Sequence, residues 1–269
     1  MIAQPTPANP MLLFGCGNMG RAMLDGWLAG GADPGSFAVV DPHAQDLPPG
    51  VAHFANGAAL TQQFDVALLA TKPQIFAEVA NDFAHLLSPD ALVISILAGT
   101  RTDALQARLP ARAIVRLMPN LAAAIGKSPL GLFSESAANR NAIEQLLQPL
   151  GQPFWLMTEE QMDAVTALAG SGPAFVYRFI DALGQAGASI GLDAAQSLAL
   201  ATAMVHGAAE LVALGDGSPA ELAKRVSSPG GTTAAGLAVL DHDDALLRLI
   251  TATLAAARDR GAELSKSSD

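Results

Sequence analysis

The chain has 269 residues, of which 51% are hydrophobic and 15% charged, with a net charge of −10. Such a composition marks a globular protein with heavily buried elements, long enough for one large or two ordinary domains. The acidic balance argues against nucleic acid as a partner, since phosphates need a basic face. The single cysteine, Cys16, excludes an internal disulfide and fits a cytoplasmic location.

Residues 1–10 hold three prolines and no basic cluster, and read as a frayed leader with no secretory signal. No apolar run reaches membrane-spanning length. Residues 11–14, Met-Leu-Leu-Phe, form a short apolar run that ends at glycine, as in a strand buried on both faces. Gly15-Cys16-Gly17-Asn18-Met19-Gly20 follows, and a helix is expected over residues 19–29 from the spacing of Ala22, Met23, Gly26 and Trp27. The G-x-G-x-x-G spacing is weak by itself. Between a first strand and a first helix it gains meaning, because each glycine then has a task. Gly15 permits the tight turn, Gly17 lets backbone approach a pyrophosphate, and Gly20 lets helix pack on strand. The expected ligand is a dinucleotide.

The second strand, residues 37–40, ends at Asp41. A carboxylate there accepts hydrogen bonds from the 2′- and 3′-hydroxyls of a ribose and repels a 2′-phosphate. This favours NADH, while His43 and Arg21 could soften the repulsion, so NADPH stays open. Further strands are expected at residues 66–70, 92–96, 113–117 and 130–133, with helices at 75–87 and 102–109. The alternation implies a parallel sheet with right-handed crossovers. Ligands bind such sheets at the carboxyl edge. There Ala70, Thr71, Lys72 and Pro73 can face a cofactor, and Ile96, Leu97 and Ala98, followed by Gly99, would admit a nicotinamide ring.

Beyond residue 158 the strand signal vanishes. A dinucleotide-binding domain over residues 1–158 and a helical domain over 159–269 are therefore expected, the latter interrupted at 170–173, 191, 215–219 and 227–231. Residues 202–213 and 246–257 are apolar on every face and must be covered. A second copy of the chain is expected to cover them. Residues 227–233, Ser-Ser-Pro-Gly-Gly-Thr-Thr, run into another small-residue helix. A helix start with free N–H groups and two hydroxyls suits a small anion, above all a carboxylate.

Together these segments resemble the pyrroline-5-carboxylate reductase family, from Leu12 to about Ser265. The marks in order are the glycine loop, Thr71-Lys72-Pro73, Ser95-Ile96-Leu97-Ala98-Gly99, Arg116-Leu117-Met118-Pro119-Asn120, Gly170-Ser171-Gly172-Pro173-Ala174-Phe175 and the segment 227–233. The last is the most specific. The resemblance implies an α/β protein, an N-terminal Rossmann-type doubly wound sheet with an all-helical C-terminal dimerisation domain. It implies homodimers that often assemble further. It also implies NAD(P)H-dependent reduction of the cyclic imine 1-pyrroline-5-carboxylate to proline, the last step of proline synthesis. The site would lie between the nicotinamide and the C-terminal domain, partly from a neighbouring subunit. Ser228, Gly231, Thr232 and Thr233 would hold the substrate carboxylate and ring, with Thr233 reaching the imine nitrogen. Asn56 matches a family asparagine near the adenosine ribose, with spacing to Thr71 one residue longer. The chain departs from its relatives at Leu222-Ala223-Lys224-Arg225, where Leu-Lys-Asp is common, and at Asp216, where some carry glutamate.

Two other readings stay open. A related imine reductase or a β-hydroxyacid-type reductase would share the two-domain plan. The latter needs a lysine soon after its Gly-x-Gly helix start, whereas here Tyr177 and Arg178 follow and the next lysine is Lys224. A non-catalytic nucleotide sensor is the reading from another class. His43, His53, His85, His206 and His242 lack ligand-like spacing, so no metal is expected. His206 reads as a core or interface residue.

Overall fold

The computed structural model describes residues 4–111, 113–136 and 138–266; the first three residues of the expected leader lie outside them. Eight strands, β1 (Met11–Phe14), β2 (Phe37–Val40), β3 (Ala52–Phe54), β4 (Phe64–Leu69), β5 (Leu87–Ser95), β6 (Ala113–Met118), β7 (Ser128–Phe133) and β8 (Gly151–Trp155), form one sheet. Its order is β3-β2-β1-β4-β5-β6-β7-β8. The first six strands thus follow the doubly wound order, in which the sequence of strands reverses its progress across the sheet beside β1. Successive residues of β1 alternate between two cores. Met11 and Leu13 join Met23 and Trp27 of α1 (Asn18–Ala29) on one face, while Leu12 and Phe14 join Phe83 of α2 (Phe76–Ala84) on the other. Burial on both faces is why these strands read as unbroken apolar runs. α3 (Thr102–Gln106) adds Leu105 to the second face, and α4 (Arg140–Leu147) adds Ile143 and Leu146 to the first.

The strand–helix alternation predicts a parallel sheet, but β7 runs antiparallel to β6. The connection between them holds only a tight turn over Leu121–Ile125, closed by Gly126 at φ 67. A parallel return needs a crossover of about a dozen residues or more. Two strands were missed. β3 is three residues long and partly exposed at one edge, and β8 contains a glycine and a proline, tolerated because it is the other edge. The helix expected over 75–87 is shorter, because residues 73–75 make a 3-10 turn and Leu87 already belongs to β5.

Strand structure ends at Trp155, and α5 (Gln161–Val165) follows, running into a π-helical turn at Thr166–Gly170. Compact packing keeps these residues with the sheet. One unit comprises the residues up to Ser171 and those from Ala257 onward, and the other comprises Gly172–Ala256. The second unit holds α6 (Gly172–Ser189), α7 (Ala194–Ala213), α8 (Pro219–Arg225), α9 (Thr232–Leu240) and the first half of α10 (Ala245–Lys266). α6 and α7 approach closely at Gly184, whose carbonyl accepts the Ser197 hydroxyl at 2.7 Å. A break before α10, with Asp243 and Asp244 at positive φ, was not anticipated. Aspartate tolerates that region better than most residues. Leu200, Met204, Leu211, Val239, Leu247 and Leu249 are exposed in the single chain. His206 is exposed too, 3.5 Å from Glu210. No helix among the described residues is long and apolar enough to cross a membrane.

Candidate functional site

The sheet unit gathers the expected cofactor residues along its carboxyl edge. β1 delivers Gly15, whose N–H donates to the Val40 carbonyl at 2.9 Å, while Ala70 N–H donates to Phe14 at 2.8 Å. Gly15 sits at φ +94, and a Cβ there would lie 2.7 Å from the Ala70 carbonyl carbon and oxygen. Only glycine lets the loop touch the end of β4. A Cβ on Gly20 would lie 2.7 Å from the Gly15 oxygen, so the helix start packs on the loop itself. At Gly17 a Cβ would meet nothing within 4 Å. Gly17 is also the N-cap of α1 and makes no side-chain cap, so the first amides of that helix, from Asn18 and Met19 on, have no intrahelical partner.

Asp41 closes the loop from the side. Its Oδ2 accepts the Cys16 N–H at 2.6 Å and its Oδ1 the His43 N–H at 2.7 Å. Burial pushes the Cys16 thiol up to about 11, and the Asp41 charge adds to the effect. The relief expected from Arg21 is already committed elsewhere. That guanidinium pairs with Asp25 at 2.8 Å and donates to the Asp46 carbonyl at 3.0 Å. Asn56 lies exposed just past β3. Thr71 follows Ala70 with its hydroxyl buried and unbonded, Lys72 is exposed, and Pro73 begins the next turn. A helix start with free amides, a glycine facing open space and an orphaned buried hydroxyl beside it fit a phosphate-bearing dinucleotide.

After β5, Ile96 N–H donates to the Leu69 carbonyl at 3.1 Å, Leu97 is buried, and Ala98 is exposed ahead of Gly99 at φ +78. Pro73, Ala98 and Gly99 line a cleft of ≈ 380 Å³ together with Asp163, Thr166 and Ser171. The last three were not assigned from sequence. Ser171 lies in a marked motif, whereas nothing around Asp163 singles it out. Sequence reading also missed a buried ion pair beneath this edge, in which Arg116 on β6 meets Glu159 at 2.8 Å.

In the helical unit, residues 228–231 form a tight turn. Gly231 N–H donates to the Ser228 carbonyl at 3.0 Å, with Pro229 second and Gly230 at φ +73 third. That is the residue pattern of a type II turn. A Cβ on Gly231 would lie 2.7 Å from the Ser228 hydroxyl oxygen and 3.1 Å from its carbonyl oxygen, so a side chain there would turn the serine hydroxyl aside. Gly231 then caps α9 in extended conformation without any side-chain bond. Ser and Thr often cap helices themselves, but here they do not. The first amides of α9 are left for another acceptor, with the Thr232 and Thr233 side chains exposed beside them. The turn thus brings Ser228, Gly231, Thr232 and Thr233 together. Arg225, part of the departure before it, donates to the Asp216 carbonyl at 2.6 Å and holds the preceding loop.

Comparison with known proteins gives two family matches. A model described as pyrroline-5-carboxylate reductase dimerisation matches residues 159–264. Another, described as NADP oxidoreductase coenzyme F420-dependent, matches residues 11–99. The pyrroline-5-carboxylate reductase of Pseudomonas aeruginosa is 35% identical over 271 residues, 96% of this chain and 98% of that protein. The structure of a pyrroline-5-carboxylate reductase from Coxiella burnetii is 30% identical with a TM-score of 0.86, over 95% of this chain and 98% of that one. The Plasmodium falciparum pyrroline carboxylate reductase, solved with NADP bound, is 26% identical with a TM-score of 0.83, over 97% and 99%.

Proposed function

The chain belongs to the pyrroline-5-carboxylate reductase family, and on that premise we propose that it reduces 1-pyrroline-5-carboxylate to proline with NADH or NADPH. The observation that carries the substrate side is the uncapped start of α9 behind the turn 228–231. Free amides and two hydroxyls suit the carboxylate of a small ring acid. The cofactor side is supported by the glycine loop, Asp41 and the orphaned Thr71 hydroxyl.

When bound, the reduced nicotinamide supplies a hydride to the imine carbon. The chain's own residues have less to do than in most reductions, because a cyclic imine readily carries its proton on nitrogen. Ser228, Gly231 and Thr232 hold the carboxylate and fix the ring. Thr233 places a hydroxyl at the ring nitrogen, where it can donate or accept without titrating itself. The rate advantage comes chiefly from orientation and exclusion of water.

Residues up to about 158 carry the cofactor and the helical remainder carries substrate and subunit contacts. Apolar side chains left exposed on α7, α9 and α10 support a homodimer through the helical domain, able to assemble further. The lone thiol at Cys16 fits a cytoplasmic enzyme.

The decisive experiment mixes the chain with 1-pyrroline-5-carboxylate and either reduced cofactor. Loss of nicotinamide absorbance matched by proline formation is expected. Stable absorbance with both cofactors would return the chain to the sensor reading.

A further inference from the structure

Glu159 lies outside every loop assigned above, yet its buried carboxylate has hydrogen bonds on one oxygen and an ion pair on the other. Oε1 accepts the Thr102 backbone N–H at 2.7 Å, the Thr102 hydroxyl at 2.9 Å and Arg116 Nη1 at 2.8 Å. Oε2 lies 3.2 Å from Arg101 Nη2. Arg116 is itself only 4% exposed and Thr102 1%. Thr102 opens α3, whose N-cap residue Arg101 offers no side-chain cap. A glutamate remote in sequence therefore satisfies the first amide of that helix.

What this bond holds is the far end of the segment 96–101. The near end is tied to the sheet by Ile96 N–H on Leu69, and by Leu97 N–H on the Ser95 hydroxyl at 3.3 Å. Between the two ties the chain turns through Gly99 and carries Ala98 into the cleft beside Pro73. On the other side of Glu159, α5 and the π-helical turn bring Asp163 and Thr166 to the same cleft. One carboxylate thus sets the spacing between the two walls.

We propose that Glu159 is a positioning residue for the nicotinamide half of the cofactor. It acts through Thr102 on the segment 96–101, and the inference rests on the reductase reading given above. A neutral side chain of equal size cannot replace it. With a glutamine oxygen turned to Thr102 and Arg116, its NH₂ faces Arg101, donor against donor, and the buried Arg116 loses its countercharge. The adenosine half is held elsewhere, by Asp41 and the glycine loop, and should not feel the change.

Binding of NADH and of ADP-ribose, which lacks the nicotinamide, is to be measured by calorimetry on the full chain and on Glu159→Gln and Thr102→Val. Glu159→Gln should weaken NADH about tenfold and Thr102→Val about threefold, with ADP-ribose held within about twofold. Equal weakening of both ligands would mean general loosening and overturn the proposal. Unchanged NADH affinity in both variants would overturn it as well. Should Glu159→Gln fail to fold, Thr102→Val decides alone, since it keeps the Arg116–Glu159 pair and the side-chain volume. A wild-type chain that binds ADP-ribose but neither NADH nor NADPH sinks the reductase reading itself, and the positioning role with it.

Discussion

The carboxylate of Asp41 accepts the backbone N–H of Cys16 at 2.6 Å, which ties the end of β2 to the glycine loop. The same group has lone pairs left for ribose hydroxyls and a charge that opposes a 2′-phosphate. Wild-type chain should therefore use NADH more efficiently than NADPH. Asp41→Asn must turn its NH₂ toward one of two N–H donors, so both cofactors weaken, but NADH more. The NADH:NADPH ratio of kcat/KM is expected to fall about tenfold. A wild-type preference for NADPH in parallel initial rates would remove Asp41 as the discriminator.

Two glycines of one loop should respond oppositely to alanine. At Gly15 the positive φ and the contact with Ala70 oppose any side chain, and Gly15→Ala should cost about 1–3 kcal/mol of stability. At Gly17 the space is open, so Gly17→Ala should leave stability within about 0.5 kcal/mol while raising the cofactor KM about tenfold. Urea melts and cofactor titrations on both variants check the contrast. A Gly17→Ala protein with normal cofactor KM would place the pyrophosphate elsewhere.

Cys16 gives a pH dependence with a definite sign. Its folded pKa, raised to about 11 from an ordinary 9.0, lets the folded chain keep a proton that the unfolded chain gives up. Stability from this group is present below pH 9.0 and is lost as pH climbs toward about 11. Cys16→Ala should flatten that part of the stability profile. Maleimide should label the native thiol slowly at about pH 8 and the urea-unfolded chain quickly; equal rates would contradict the burial.

Thr233→Val removes one hydroxyl contact while keeping the branched shape. The expected loss is about 1–3 kcal/mol, or about 5- to 150-fold in kcat/KM for the imine. Thr233→Ser should retain most of the activity. Unchanged steady-state kinetics in the valine variant would take Thr233 out of the mechanism.

Much of this molecule was legible before its coordinates. β1, β2 and α1 announce themselves because strands buried on both faces must be uniformly apolar and the loop between them must be glycine-rich. The turn before α9 was legible for the same reason, since Pro229 and Gly230 leave few conformations. Edge strand β8 was hidden by Gly151 and Pro153, which deny its strand character locally. The direction of β7 was hidden because it depends on the length of a connection. Glu159 was invisible for a deeper reason. Its meaning comes from Thr102 and Arg116, residues 57 and 43 positions away, and a pair of glutamates before a helix, Glu159 and Glu160, usually signals only a solvated helix start.

The bare opening turn of α9 has a consequence for motion as well as for recognition. On the proposed reading an acid docking there would take up those amides, so occupancy and protection from solvent exchange should rise together. The substrate proposed for that turn would then finish a piece of secondary structure that the chain has left incomplete.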